Sequence, residues 1–272
     1  MTETAARALT IAVDADIRVS ALFQAPANAR ACYVFAHGAG AGMTHPFMAA
    51  LAAELSLCGI ATLRYQFPYM EKGGGRPDSP KLAHATVRAA VAAATDLAPE
   101  LTLIAGGKSF GGRMTSQAQA LEPLPHVAGL AFVGFPLHPP KKPSNERAEH
   151  LFGIRLPMLF LQGTRDELAD SRLMAAVGDR FGARAELKWF DDADHAFHVR
   201  KPSGSSDAQV LAGLAQAIAD FAARLRRGSA RRSMFRREPP ESKCRALQPG
   251  CRDLSLALGQ MQPGVDHGVG VE

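Results

Sequence analysis

The chain has 272 residues, 47% apolar and 21% charged, enough for one large α/β domain or two small ones with a sizeable core. Its net charge of +5 sits at one end: residues 1–223 carry 21 basic and 21 acidic side chains, residues 224–272 carry 10 and 5. The folded part is therefore neutral and offers no support for nucleic-acid binding.

Met1 to Thr10 has no basic start followed by an apolar run, and no stretch reaches transmembrane length. A cytoplasmic protein without membrane insertion is expected. Four cysteines at this size do not form a disulfide framework, and none is paired with Cys or His at ligand spacing, so no metal is expected. Cys32 and Cys58 read as buried thiols.

Ala8–Val13 and Ile17–Gln24 alternate around Asp14-Ala15-Asp16 and predict an antiparallel hairpin. Ala31–Ala36 (ACYVFA) is a continuous apolar run, the pattern of a strand covered on both faces. His37-Gly38-Ala39-Gly40-Ala41-Gly42 follows, then an amphipathic helix over Pro46–Leu57 and a strand over Ile60–Gln66. Phe67–Pro80 is full of breakers and is expected to cover part of a site. A helix over Lys81–Leu97 leads to a short apolar strand, Leu101–Ala105.

That strand stops at Gly106-Gly107-Lys108-Ser109-Phe110-Gly111-Gly112, and a helix is predicted from Arg113 to Leu121. Gly107 to Gly111 fits G-x-S-x-G, a serine on a tight strand-to-helix turn. The residues two before and two after such a serine must be small, because strand and helix nearly touch there. Gly-Lys-Ser also ends a phosphate-binding loop, but the glycine that loop needs five residues before Gly107 is Thr102.

Further strands are predicted at Val127–Gly134, Pro157–Gln162 and Ala185–Phe190, separated by the Pro-rich Phe135–Pro143 and a helix ending near Phe181. A long Ala-rich helix spans Ser206–Leu225. The alternation of strand and helix predicts a mostly parallel sheet with helices on both faces, occupying residues 1–225. Residues 226–272 read as a basic, disordered tail: seven of the fourteen residues from Arg224 to Arg237 are Arg. A nucleic-acid or membrane-surface role for that tail is the alternative to simple disorder.

A serine hydroxyl needs a base to take its proton and an acid to orient that base. Asp166 follows the PMLFLQGT strand and His195 follows the LKWF strand, giving the order Ser109, Asp166, His195. Asp170 and His198 are the fallback acid and base, and helix capping is the competing use of Asp166. The oxyanion formed on attack needs backbone N–H donors. Phe110, directly after the nucleophile, supplies one; Ala39 or Gly40 supplies the other. A dinucleotide-binding turn at the same glycines fails, since its third glycine falls on Met43 in one register and His45 in the other.

Residues expected to contact substrate are His37, Gly38, Gly40, Arg64, Tyr69 and Lys108. Arg64, Arg76, Lys108, Arg113, Lys141 and Lys142 could favour an anionic substrate, with ordinary surface charge as the alternative; Lys108 could instead turn away and pair with an acid.

Together, HGAGAG, RYQFPY, GGKSFGGR, FPLHPPKKP, QGTRDE and DADHAF resemble the dienelactone-hydrolase-like branch of the α/β-hydrolases. The likeness is to a group containing bacterial proteins, a vertebrate testis-expressed protein and a chromatin-acetyltransferase subunit. It implies a compact hydrolase fold over Ile17–Leu225 with little or no lid, and assigns Ser109, Asp166 and His195 as nucleophile, acid and base. True dienelactone hydrolases have Cys where Ser109 stands, so their substrate does not carry over. The expectation is a serine hydrolase of a small ester, thioester or similar acyl compound, needing no cofactor; the alternative is a silent scaffold that binds a protein partner.

Overall fold

The structure is a computed structural model that describes residues 4–235, with side chains to 228. Eight strands form one sheet in the order β1-β2-β4-β3-β5-β6-β7-β8. The hairpin of β1 (Arg7–Ala12) and β2 (Arg18–Gln24) is antiparallel and joins β4 (Ile60–Tyr65) antiparallel. Its turn is held by Asp14, whose carboxylate accepts from the N–H groups of Asp16 and Ile17. Every remaining pairing is parallel, through β3 (Ala31–Ala36), β5 (Thr102–Lys108), β6 (Val127–Val133), β7 (Met158–Gly163) and β8 (Ala185–Phe190).

The central strands β3, β4 and β7 are buried at every residue, which the unbroken apolar run of β3 requires and which leaves Arg64 and Gln162 as buried polar side chains on the other two. Helices α1 (Pro46–Leu57) and α6 (Asp207–Phe235) cover one face, placing Met48, Leu51, Leu214 and Ile218 against Tyr33, Phe35 and Ile104. Helices α3 (Pro80–Leu97), α4 (Phe110–Leu121) and α5 (Ser171–Phe181) cover the other, with Val87, Met114 and Val177 in that core. A single short turn, α2 (Pro68–Glu71), interrupts the breaker-rich connection after β4. Capping explains where α3 starts: the Ser79 hydroxyl accepts from the Leu82 N–H, and Pro80 stands in the first turn.

The chain runs from β3 to β4 on one side and then crosses to β5 on the other. The strand order therefore reverses between β3 and β5, and a crevice must open beyond their carboxyl ends. Residues 37–42 and Ser109 both lie there.

Two expectations need adjusting. α4 starts at Phe110 rather than Arg113, because the turn after β5 consumes one residue only. α6 continues to Phe235, ten residues beyond the predicted end at Leu225; four of the ten residues over 226–235 are Arg, a good helix former. Residues 236–272, most of the predicted tail with Cys244 and Cys251, lie outside the described residues. Cys32 is buried, its thiol pushed up to about 12 by desolvation, while Cys58 is partly exposed after α1. No helix among the described residues is long and apolar enough to cross a membrane.

Candidate active site

Ser109 is the only residue between β5 and α4, and it has φ 49° and ψ −114°, a region that costs a non-glycine residue roughly 1–3 kcal/mol. The surrounding glycines explain why the strained turn persists. A methyl group on Gly107 would stand 2.5 Å from the Ala36 carbonyl oxygen, and one on Gly111 would stand 2.6 Å from the Ala36 Cβ and the His37 carbonyl oxygen. Strand, helix and the β3 end touch through bare backbone, and that contact holds the serine out at the crevice.

The Ser109 hydroxyl donates to His195 Nε2 at 2.9 Å, and His195 Nδ1–H donates to Asp166 Oδ2 at 2.8 Å. Because the carboxylate can only accept, the proton of the neutral ring resides on Nδ1, leaving Nε2 free to take one. Three residues from the ends of β5, β7 and β8 thus meet in one hydrogen-bonded line. The His195 side chain is 24% exposed and that of Asp166 is fully covered.

Asp166 is held from several directions. Gln162 Nε2–H donates to its Oδ2 at 2.6 Å, the Leu168 N–H donates to its Oδ1 at 2.8 Å, and the Gln162 side chain is itself oriented by its Oε1, which accepts from the Phe135 N–H at 3.0 Å. Sequence reasoning missed Gln162; the one signal available was a lone polar residue in an apolar strand. Gly163 is required here too, since any side chain would strike the Ala193 carbonyl.

The fallback pair is placed elsewhere. Asp170 caps α5, accepting from the N–H groups of Arg172 and Leu173 at 3.0 Å, so the capping role belongs to it and not to Asp166. His198 is exposed at the crevice rim and pairs with Asp207 at 2.7 Å, which raises its pKa through that hydrogen bond.

The loop after β3 is also arranged by polar contacts. The Gly40 N–H donates to the Tyr69 hydroxyl at 3.0 Å, which occupies one of the two candidate oxyanion donors and leaves Ala39. His37 is fully buried: its Nε2 accepts from the Phe67 N–H at 3.1 Å and its Nδ1–H donates to the Gly38 carbonyl at 2.7 Å. Desolvation lowers its pKa to about 4, so it stays neutral. His37 and Tyr69 were expected to touch substrate; both instead tie this loop to the connection after β4. Arg64 was expected there as well. It is 4% exposed, donates to the Met43 carbonyl at 3.3 Å and does not line the crevice, because its strand position turns it beneath α1. Arg76, Lys141 and Lys142 are exposed and outside the crevice.

Gly38, Ala39, Lys108, Ser109 and His195 line a cavity of about 650 Å³. Its remaining walls are mostly apolar, from Pro46, Phe47 and Met48 at the start of α1 to Phe197, Ala208 and Leu211 near the start of α6, with Leu168 opposite. Lys108 does not turn away: its ammonium donates to the His195 carbonyl oxygen at 2.6 Å. Among the described residues no group of three His, Cys, Asp or Glu is placed to hold a metal ion.

A family model described as an alpha/beta hydrolase domain matches residues 29–223. The chain belongs to the α/β-hydrolase family. Its fold is similar to a dienelactone hydrolase from Anabaena variabilis, at 20% identity and TM-score 0.64, over 80% of this chain and 97% of that one. It is similar as well to XC6422 from Xanthomonas campestris, described as an α/β serine hydrolase without lid, at 18% identity and TM-score 0.62, covering 79% and 94% of the two chains. An esterase domain from a Rhodothermus marinus protein matches at 17% identity and TM-score 0.61, covering 81% and 98%. The resemblance to the dienelactone-hydrolase-like branch of this α/β-hydrolase family thus holds at the level of the fold.

Proposed function

We propose that this α/β-hydrolase is a serine hydrolase of small esters or thioesters whose acyl or alcohol part is apolar. The observation that carries the reading is the unbroken line from the Ser109 hydroxyl through His195 to Asp166, at 2.9 Å and 2.8 Å. Ser109 Oγ attacks the substrate carbonyl carbon as His195 Nε2 takes its proton. Asp166, already satisfied by Gln162 and Leu168, keeps the ring in the tautomer that can do so and stabilises the imidazolium.

The tetrahedral oxyanion is received by the N–H groups of Phe110 and Ala39. The first lies at the start of α4, where an N–H has no partner within its own helix, and the dipole of that helix favours negative charge. His195 then protonates the leaving alcohol or thiol, and the acyl group stays on Ser109. A water deprotonated by the same Nε2 attacks the acyl-enzyme and releases the acid. Apolar walls around Phe47, Phe197 and Leu211 favour a hydrocarbon group beside the reacting carbonyl, since covering it there removes apolar surface from water.

Labelling with a fluorophosphonate probe tests the reading. Wild-type protein should be modified at Ser109 and Ser109→Ala should not. A p-nitrophenyl ester series from acetate to decanoate should show kcat/KM rising with chain length until the cavity is filled. Absence of labelling would reject catalysis in favour of a silent scaffold, and equal labelling of the alanine variant would reject Ser109 as the nucleophile.

A further inference from the structure

Lys108 immediately precedes the nucleophile, and neither its burial nor its partners are explained by the chemistry above. It is 9% exposed, its ammonium lies 5.8 Å from the Phe47 ring centre and 5.5 Å from that of Phe197, and it donates to the backbone carbonyl of His195 at 2.6 Å. A buried ammonium is costly, so a partner of this kind is needed for the residue to be tolerated at all. Gly134, at φ 66°, makes the room: a methyl there would stand 3.2 Å from Lys108 Nζ and 3.5 Å from His195 Cε1.

We propose that Lys108 is a positioning residue whose ammonium clamps the loop bearing His195 to the strand bearing Ser109, setting the imidazole in line with the hydroxyl. This rests on the serine-hydrolase reading of the same site. The need for a clamp is visible in the loop. Residues 191–198 carry two non-glycine residues at positive φ, Asp192 and Phe197, and Asp194 accepts from the N–H groups of Ala196 and His198. The stretch before His195 is fastened to the turn after β7, where Thr164 Oγ1 accepts from the Asp192 N–H and the Ala193 carbonyl accepts from the Arg165 N–H, so that Lys108 is the tie on the His195 backbone itself. Lys108 bonds the backbone of the very residue that must be aligned, from the strand next to the serine.

The charged and titratable groups around the ammonium are Asp166 from the turn after β7 and Asp194 and His195 from the loop after β8; α1 contributes the Phe47 ring and the β6 end Gly134. Burial pulls the ammonium down to about 8, against the opposing pull of Asp166 and Asp194. The clamp therefore weakens as pH rises through that value.

The test uses full-length Lys108→Met and Lys108→Arg with p-nitrophenyl butyrate, together with NMR detection of the His195 Nδ1 proton. In Lys108→Met, kcat should fall about ten- to hundredfold with KM within about threefold, the range expected when a reacting group is misplaced by an ångström or less. The His195 proton signal should shift or broaden. Wild-type kcat should decline on the alkaline side around pH 8, a limb that Lys108→Met lacks and that Lys108→Arg, with a permanently charged donor, moves to higher pH while recovering part of the rate.

Unchanged kcat with an unmoved His195 signal would overturn the proposal, and so would an effect confined to KM, which would make Lys108 a substrate contact. The NMR signal reports the clamp even in a protein that fails to turn over ester. A moved signal without wild-type turnover therefore refutes the serine-hydrolase reading and leaves the clamp standing. Should Lys108→Met not fold, the alkaline limb and the Lys108→Arg shift decide the matter.

Discussion

The two sides of the crevice are built on opposite principles. The Ser109 side is close-packed backbone: Gly107 and Gly111 leave no space for a methyl group, and the serine is held at φ 49° by that contact and by the bond its N–H donates to the Val133 carbonyl. The His195 side is a loop hung on hydrogen bonds, with Asp166, Lys108 and Asp194 supplying the ties. Packing contacts fail abruptly when their volume is exceeded, whereas polar ties can be loosened one at a time. Damage to the first side should appear as lost folding, and damage to the second as lost turnover in a folded protein.

The sharpest way to break this contrast is Gly107→Ala. With a 2.5 Å approach to the Ala36 carbonyl, it should cost about 4 kcal/mol or more, or prevent folding, as read by urea denaturation. Asp166→Asn should do the reverse, lowering kcat by about 10⁴-fold, as expected when the tautomer is lost, with a melting temperature within a few degrees of wild type. A smaller effect is expected of Gln162→Leu: about tenfold in kcat, because Asp166 keeps its bonds to Leu168 and His195. Asp170→Ala, outside both sides, should cost about 1 kcal/mol through the lost cap on α5 and leave turnover unchanged.

Acid should loosen the packed regions. Burial lowers both His37 and His150 from the ordinary histidine value to about 4. Between pH 6.5 and 4 the unfolded chain binds protons at these sites that the folded chain does not, so stability falls as pH falls through that window. Replacing His150 by Gln, which keeps a partner for Ser116, should flatten the pH dependence of the unfolding free energy by about one proton across that window.

What the amino-acid pattern revealed follows the same division. The sheet and the order Ser109, Asp166, His195 were legible because apolar runs and turn glycines constrain the backbone locally. Directions of side chains were not. Nothing in the residues around His37 says that its ring points inward to the Phe67 N–H, or that Tyr69 reaches back to Gly40, since the partners lie 30 and 29 residues away. Lys108 stands out in the sequence by adjoining Ser109, but its partner is 87 residues distant, on a loop whose course depends on the finished sheet. The choice between Asp166 and Asp170 as the acid was equally closed, because both are followed by helix-compatible residues and only the trajectory after Gly163 separates them.

The topology also dictates when the protein becomes reactive. During synthesis Ser109 emerges well before His195, and the segment bearing His195 shares its apolar footing, Phe190 and Phe197, with Leu214 and Ile218 of α6. A nascent chain stalled short of that helix would carry its alcohol without a proton acceptor. The meeting of Ser109 and His195 thus leans on the last helix described, and a chain cut before Asp207 should lose the 2.9 Å contact between them.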